Sequence, residues 1–245
     1  MADTTIQVPH TQLPLSVGNL GRIHQFAVTV ETLLFTFLPH HREAAYTRLI
    51  QIISLPPHFA FLSQYTDPKS AQSLPPVPLA LFTRNLARDP VLLETYQNYV
   101  LTRAKQHALP ALATHKYLVL TGETIIAMRQ ARVPEETIVS RIMPFVAAGL
   151  RIRGAPEVQI ACYSVLAILG SKRTLEGRVL DAAMEAVVLG WGDESLRSGI
   201  LCVSSLAYFK EDGRIPVPVK KAIVAVKYVR LRGVFLTVQG FDRAY

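Results

Sequence analysis

Three kinds of side chain in this sequence could carry chemistry: histidines, cysteines and paired carboxylates. His40-His41 follow Pro39, and His107 and His115 stand on either side of Pro110. Imidazole nitrogens bind transition metals, but a site needs three or four ligands in fixed geometry. Only Glu43 stands near the first pair, so a surface turn accounts for it better, and the same holds for the second. Cys162 and Cys202 fall inside apolar stripes with no base spaced to ionise either thiol, and they read as small buried hydrophobes. Glu135-Glu136 and Asp193-Glu194 look like acid–base pairs. Both open helices, where a carboxylate caps free N–H groups and meets the positive end of the helix dipole. Neither a P-loop, a G-x-G-x-x-G nor a G-x-S-x-G occurs. The chain reads as a non-enzyme, with no cofactor and no metal site expected.

Cations are the remaining candidates. The 245 residues carry 26 Lys and Arg against 18 Asp and Glu, a net charge of +8. Arg151, Arg153, Lys172 and Arg173 fall at inter-helix turns that a helix stack could bring to one edge. Lys220, Lys221, Lys227, Arg230 and Arg232 form a second cluster. These nine are the candidate RNA- or partner-binding residues, because phosphate contact needs only cations at groove-like spacing. A solvated rim explains the same residues. Aromatic interleaving for base stacking is weak, with Tyr228 the nearby ring before Phe235.

The elements that hold these residues follow from composition and periodicity. Half the residues are apolar and 18% are charged, which excludes disorder for most of the chain. Mean hydropathy is +0.25, yet no run of about 18 apolar residues occurs, so no membrane span is expected. Apolar residues recur at three- and four-residue spacing between breakers. That predicts helices over about 24–38, 42–54, 77–87, 90–107, 110–131, 134–151, 155–169, 174–190 and 193–210. A tenth, about 217–231, is rich enough in Val and Ile to suit a strand as well. Phe26, Val30, Leu33, Leu34 and Phe37 form the first stripe, and Ala45, Leu49, Ile52 and Ile53 the second. Pro90, Pro110 and Pro134 sit near helix starts, Gly170 and Gly213 fit C-terminal stops, and Asp193 suits an N-cap. The expected organisation is a poorly ordered tail (1–21), an N-terminal helix pair (22–62), a Pro-rich loop (63–78), helical repeats (79–232) and an irregular tail (233–245).

The second half repeats itself. MPFVAAGL at Met143–Leu150 aligns on MEAVVLGW at Met184–Trp191, and ACYSVLAIL at Ala161–Leu169 aligns on LCVSSLAYF at Leu201–Phe209. The second alignment pairs Cys162 with Cys202 and Leu166 with Leu206. Helix pairs recurring at about 40 residues have the period of HEAT and armadillo arrays. One pair cannot bury both apolar faces, so pairs stack into a solenoid. The predicted fold is all-α, with HEAT-like antiparallel helix-pair repeats forming an α-solenoid.

TLLFTFLPHHREAAYTRLIQIISLPPHFAFL at Thr32–Leu62 resembles a segment near the N-terminus of the U3 small nucleolar RNA-associated protein ten family. Its animal counterpart is HEAT repeat-containing protein one. The shared pattern is a Leu-rich helix ending in a Pro/His turn, then Arg48-Leu49-Ile50-Gln51-Ile52-Ile53, then Leu55-Pro56-Pro57. Arg22–Phe26 looks like the basic lead into this helix, and IVSRIMPFVAAGL at Ile138–Leu150 is similar to a later segment of the family. Because family members are much longer, the resemblance implies a fragment or truncated form.

It also implies a scaffold subunit of the UtpA (t-UTP) subcomplex of the small-subunit processome, acting in the nucleolus in pre-18S rRNA processing. The implied partners are other UtpA subunits, including the C-terminal part of a β-propeller subunit, the U3 snoRNP, and the 5′ external transcribed spacer of pre-rRNA. The alternative is a general helical-repeat adaptor that binds peptide segments of partner proteins. That reading predicts a ladder of Asn and Trp, whereas Trp191 is the single tryptophan.

Overall fold

A computed structural model describes residues 30–66, 76–109, 111–171 and 175–230, with side chains for all of these except 111 and 225–230. Residues 1–29, most of the Pro-rich loop, Pro110, Lys172, Arg173, Arg232 and the 233–245 tail lie outside the described residues. All regular structure among the described residues is helical. The chain divides into two compact units, Met1–Pro76 and Val77–Tyr245.

In the first unit, α1 (30–37) runs into a 3-10 turn, Leu38–His40, where Pro39 ends the α-helix as expected. Helix α2 spans Ala44–Ile52, and a second 3-10 stretch, Pro57–Tyr65, follows Pro56. This stretch extends past the expected helix pair into the expected loop. Sequence periodicity misses it because its residues sit on a three-residue turn. Phe59 is buried there and meets Phe35 edge-on, with ring centroids 5.2 Å apart. The buried face of α2 is Tyr46, Thr47 and Ile50 rather than the predicted stripe, and Ile52 is exposed. In α1, Val30, Leu34 and Phe35 face inward while Phe37 does not. Both shifts are about one residue around the helix, a rotation that apolar neighbours on both faces conceal.

The second unit is a stack: α3 (Leu79–Arg88), α4 (Pro90–Lys105), α5 (Ala111–Gln130), α6 (Glu135–Leu150), α7 (Pro156–Gly170), α8 (Gly177–Gly190), α9 (Leu196–Phe209) and α10 (Val217–Arg230). The last is helical, which settles the strand ambiguity. Short turns make successive helices antiparallel. Helices α3, α5, α7 and α9 pack side by side in one row, and α4, α6, α8 and α10 form the other. This is the predicted α-solenoid. Ile142 and Val146 of α6 are buried, as are Ala183 and Val187 of α8; Cys162 and Leu166 of α7 are buried, as are Cys202 and Leu206 of α9. The repeat seen in sequence is thus a repeat of buried positions.

Helix starts follow their caps where a side chain is free to act. Asp89 accepts from the N–H groups of Val91 and Leu92 at 2.9 and 3.1 Å, with Pro90 at the first helical position. Two expectations fail. Asp193 does not cap α9, which begins after Ser195, and the Ser195 hydroxyl instead donates to Gln159 Oε1 at 2.7 Å. Gly170 is not a stop outside α7 but its last residue, where a Cβ would lie 2.9 Å from the Phe209 ring. There α9 side chains occupy the space that a Cβ on α7 would need. Gly149 plays the same part between α6 and α7, with the Cys162 sulfur filling the space of a Cβ.

Polar bonds run across the stack. Arg129, 12% exposed at the end of α5, donates to Glu135 (Nε–Oε1 2.7 Å, Nη2–Oε2 3.2 Å) at the start of α6. It also donates to the carbonyls of Ile168 and Leu169 in α7, at 3.0 and 3.1 Å. Glu135 therefore does more than offset a helix dipole. In the other row, Pro144 inside α6 leaves the Ser140 carbonyl without a helical donor. The next carbonyl, of Arg141, accepts from Gln97 Nε2 of α4 at 3.1 Å.

Arg129→Ala should cost about 3 kcal/mol, since a charged, mostly buried donor set is lost and two carbonyls are left dry. In a thermal melt that is roughly 6–12 °C for a domain of this size. Arg129→Lys should recover less than half, because an ammonium lacks the planar fork.

Burial pushes the thiols of Cys162 and Cys202 up to about 12, and it raises Tyr46, Tyr96 and Tyr117 as well. A raised folded-state pKa means that the unfolded chain releases its proton first as pH rises. Stability from these groups is intact below the thiol's ordinary pKa of about 8.5 and is lost progressively toward pH 12. The melting midpoint should fall steadily above about pH 9. Ellman's reagent at pH 8 should modify neither cysteine until denaturant is added.

Candidate interaction surface

Turns between helices lie on two opposite edges of the stack. The turns before α5, α7 and α9 share one edge, and those before α4, α6, α8 and α10 share the other. Arg151 and Arg153 are exposed in the turn before α7. Helix α7, 15 residues and so about 22 Å long, separates them from the turn that opens at Ser171. The expected single edge of Arg151, Arg153, Lys172 and Arg173 therefore does not follow from the topology, and Lys172 and Arg173 lie outside the described residues.

Arg151 and Arg153 have other company. His107, in the turn before α5, adopts a left-handed φ of 52°, and a Cβ on Gly154 would sit 3.3 Å from its ring. The His107 conformation closes α4, with the N–H of Ala108 bonding the Arg103 carbonyl at 2.9 Å. Exposed Lys105 ends the same helix. Lys105, His107, Arg151 and Arg153 thus form one basic edge across two adjacent turns. The sequence reading missed Lys105 and His107. The signal was available, because the ends of α4 and α6 occupy matching places in the stack. At the third turn of that edge the sign reverses, with Asp193 and Glu194 exposed.

Lys220 and Lys221 are exposed near the start of α10, toward the opposite edge. Lys227 and Arg230 belong to the same helix, though their side chains are outside the described set, as is all of Arg232. Arg151 and Arg153 on one side and Lys220 and Lys221 on the other thus lie toward opposite edges of the stack. Nearby, Lys210 is engaged. Its ammonium lies 2.9 Å from Asp181 and 3.3 Å from Asp212, and its bond to Asp181 holds its pKa above the usual lysine value.

The row of α5, α7 and α9 also exposes apolar side chains. Leu112, Val119 and Ile126 recur at seven-residue intervals on α5, with Ile160 on α7 and Leu201 on α9. A furrow of about 480 Å³ runs between α5 and α7. Trp191 lies in the turn before α9 against Gly199, not on a helix face, so it is not part of a concave ladder. Among the described residues no group of three or more His, Cys, Asp or Glu side chains could hold a metal ion, and no helix is long and apolar enough to cross a membrane.

This stack, with its 40-residue register, is similar to known proteins along most of its length. The family model of U3 small nucleolar RNA-associated protein 10 matches residues 138–235. Proteins of that name from Aspergillus niger and Aspergillus clavatus are each 30% identical to it, over 218 and 214 residues, or 84% and 83% of this chain. The one from Coccidioides immitis is 28% identical over 219 residues. The chain spans only about 12% of the length of these relatives. On this likeness, carried by the helices that build the stack, the chain belongs to the U3 small nucleolar RNA-associated protein 10 family.

Proposed function

We propose that the chain acts in ribosome biogenesis as a non-enzymatic helical scaffold of the nucleolar small-subunit processome, within its UtpA subcomplex. The observation that carries the reading is the family likeness over 84% of the chain. A solenoid suits the role, because stacked helices present long edges and faces to several partners at once. UtpA subunits, including the C-terminal part of a β-propeller subunit, are the proposed protein partners, and the U3 snoRNP and the pre-rRNA 5′ external transcribed spacer are the proposed RNA contacts. Affinity purification of the tagged chain from nuclear extract tests it. U3 snoRNA and 5′ spacer RNA should be enriched over an untagged control, and their absence would overturn the reading.

The general adaptor reading keeps one supporting observation, the apolar furrow of α5 and α7. A fluorescent fusion separates the two, since the scaffold concentrates in nucleoli and a general adaptor does not.

For RNA, the edge formed by Lys105, His107, Arg151 and Arg153 is the proposed contact. Each cation neutralising a phosphate adds about 0.7 to the slope of log affinity against log salt for a single strand. Replacing Lys105, Arg151 and Arg153 together by Gln should lower that slope by about 2 with a single-stranded RNA probe. An unchanged slope would remove this edge from the account.

A further inference from the structure

The furrow between α5 and α7 combines apolar walls with acidic rims. Its walls are apolar: Leu118, Val119 and Ile126 from α5 face Ile160, Val165 and Ile168 from α7. Val119 and Ile126 remain 39% and 47% exposed, and Leu112 at the head of the same stripe is 70% exposed. The rims carry Glu123 and Glu157, both exposed and in no ion pair among the described residues. His115 is the only titratable base in the lining. A chain of net charge +8 thus presents an acidic-rimmed apolar slot.

From this geometry we infer that the furrow docks an amphipathic helix of a partner protein, apolar on one face and flanked by Lys or Arg. A helix is favoured over an extended peptide because helical walls offer no free backbone N–H or C=O for strand-like pairing. Leu112, Val119 and Ile126 repeat every seven residues, the spacing that keeps two helices in register at a shallow crossing angle. The α5 wall of the furrow runs from Thr114 to Ile126, about 18 Å or a little over three turns of guest helix, with Leu112 just beyond its end. The rim carboxylates select basic flanks. The inference stands on the furrow alone and is independent of the nucleolar assignment.

Two designed peptides of 18 residues test it, both with Leu at heptad a and d positions, one with Lys and one with Glu at e and g. Nonspecific attraction to a +8 protein would favour the Glu peptide. The furrow predicts the reverse: the Lys peptide should bind the 245-residue chain at least about tenfold more tightly in fluorescence anisotropy. Val119→Asp with Ile126→Asp should abolish that binding while circular dichroism stays unchanged. Glu123→Lys with Glu157→Lys leaves the apolar walls intact and should reverse the preference between the peptides. Equal or stronger binding of the Glu peptide, or Lys-peptide binding that survives Val119→Asp with Ile126→Asp, would overturn the inference. So would sedimentation showing that the furrow joins two copies of the chain, with dimerisation lost in the same variant.

Discussion

A buried backbone carbonyl needs a donor, and in this stack the donor repeatedly comes from a side chain on another helix. Arg129 of α5 serves Ile168 and Leu169 of α7, and Gln97 of α4 serves Arg141 of α6. Tyr96 of α4 serves Tyr117 of α5, and the Cys202 thiol points at the Tyr163 carbonyl at 3.6 Å. Gln159 of α7 donates at once to Ile152 and Gly190, and its own carbonyl accepts from Ser195. Apolar contact alone would let one helix slide along its neighbour. These bonds fix the register, because a slip of one residue would leave both donor and acceptor dry. The bonds of Arg129 and Cys202 link helices of one row, and so span 39 or 40 residues, the length of the repeat.

Fixed register has consequences at the surface. It sets Arg151 and Arg153 beside His107 on one edge, since the turns before α5 and α7 must align when their helices do. It keeps α5 and α7 side by side, so that Val119 and Ile126 face the wall formed by Ile160, Val165 and Ile168. Close approach through Gly149 and Gly170 removes side-chain volume where helices meet. A surface on such a stack is held in place by the helices above and below it.

The helices of the stack were legible because each has its own apolar stripe and its own breaker. Pro90 and Pro134 mark starts to within a residue, and Pro110 lies outside the described residues. The 40-residue repeat was legible because it is written in buried positions such as Cys162 and Cys202, which tolerate few residue types. What escaped the sequence were interactions that depend on a third element. Glu135 looked like a dipole residue until Arg129 reached it, and the N-cap position of α9, expected at Asp193, falls to Ser195, whose hydroxyl donates to Gln159 instead of capping. The rotation of α2 escaped because Leu49, Ile50, Ile52 and Ile53 give it apolar choices all round, and only packing decides that Ile50 turns inward. The placement of Arg151 and Arg153 follows from topology rather than from spacing. Residues close in sequence across a helix, such as Arg153 and Ser171, end at its opposite poles.

Charge makes the same point at larger scale. A net +8 describes the chain but not any one of its surfaces. The edge before α5 and α7 is basic, its continuation before α9 is acidic at Asp193 and Glu194, and the furrow is rimmed by Glu123 and Glu157. Exposed like charges repel and opposite charges attract, and salt screens both beyond about 8 Å at physiological ionic strength. A rigid stack keeps sites of opposite sign at fixed places, even where Glu157 of the furrow rim stands one turn of helix beyond Arg153 of the basic edge. A flexible chain of the same composition would let the charges neutralise one another, so the separation of surfaces depends on the same side-chain-to-carbonyl bonds that hold the helices in register.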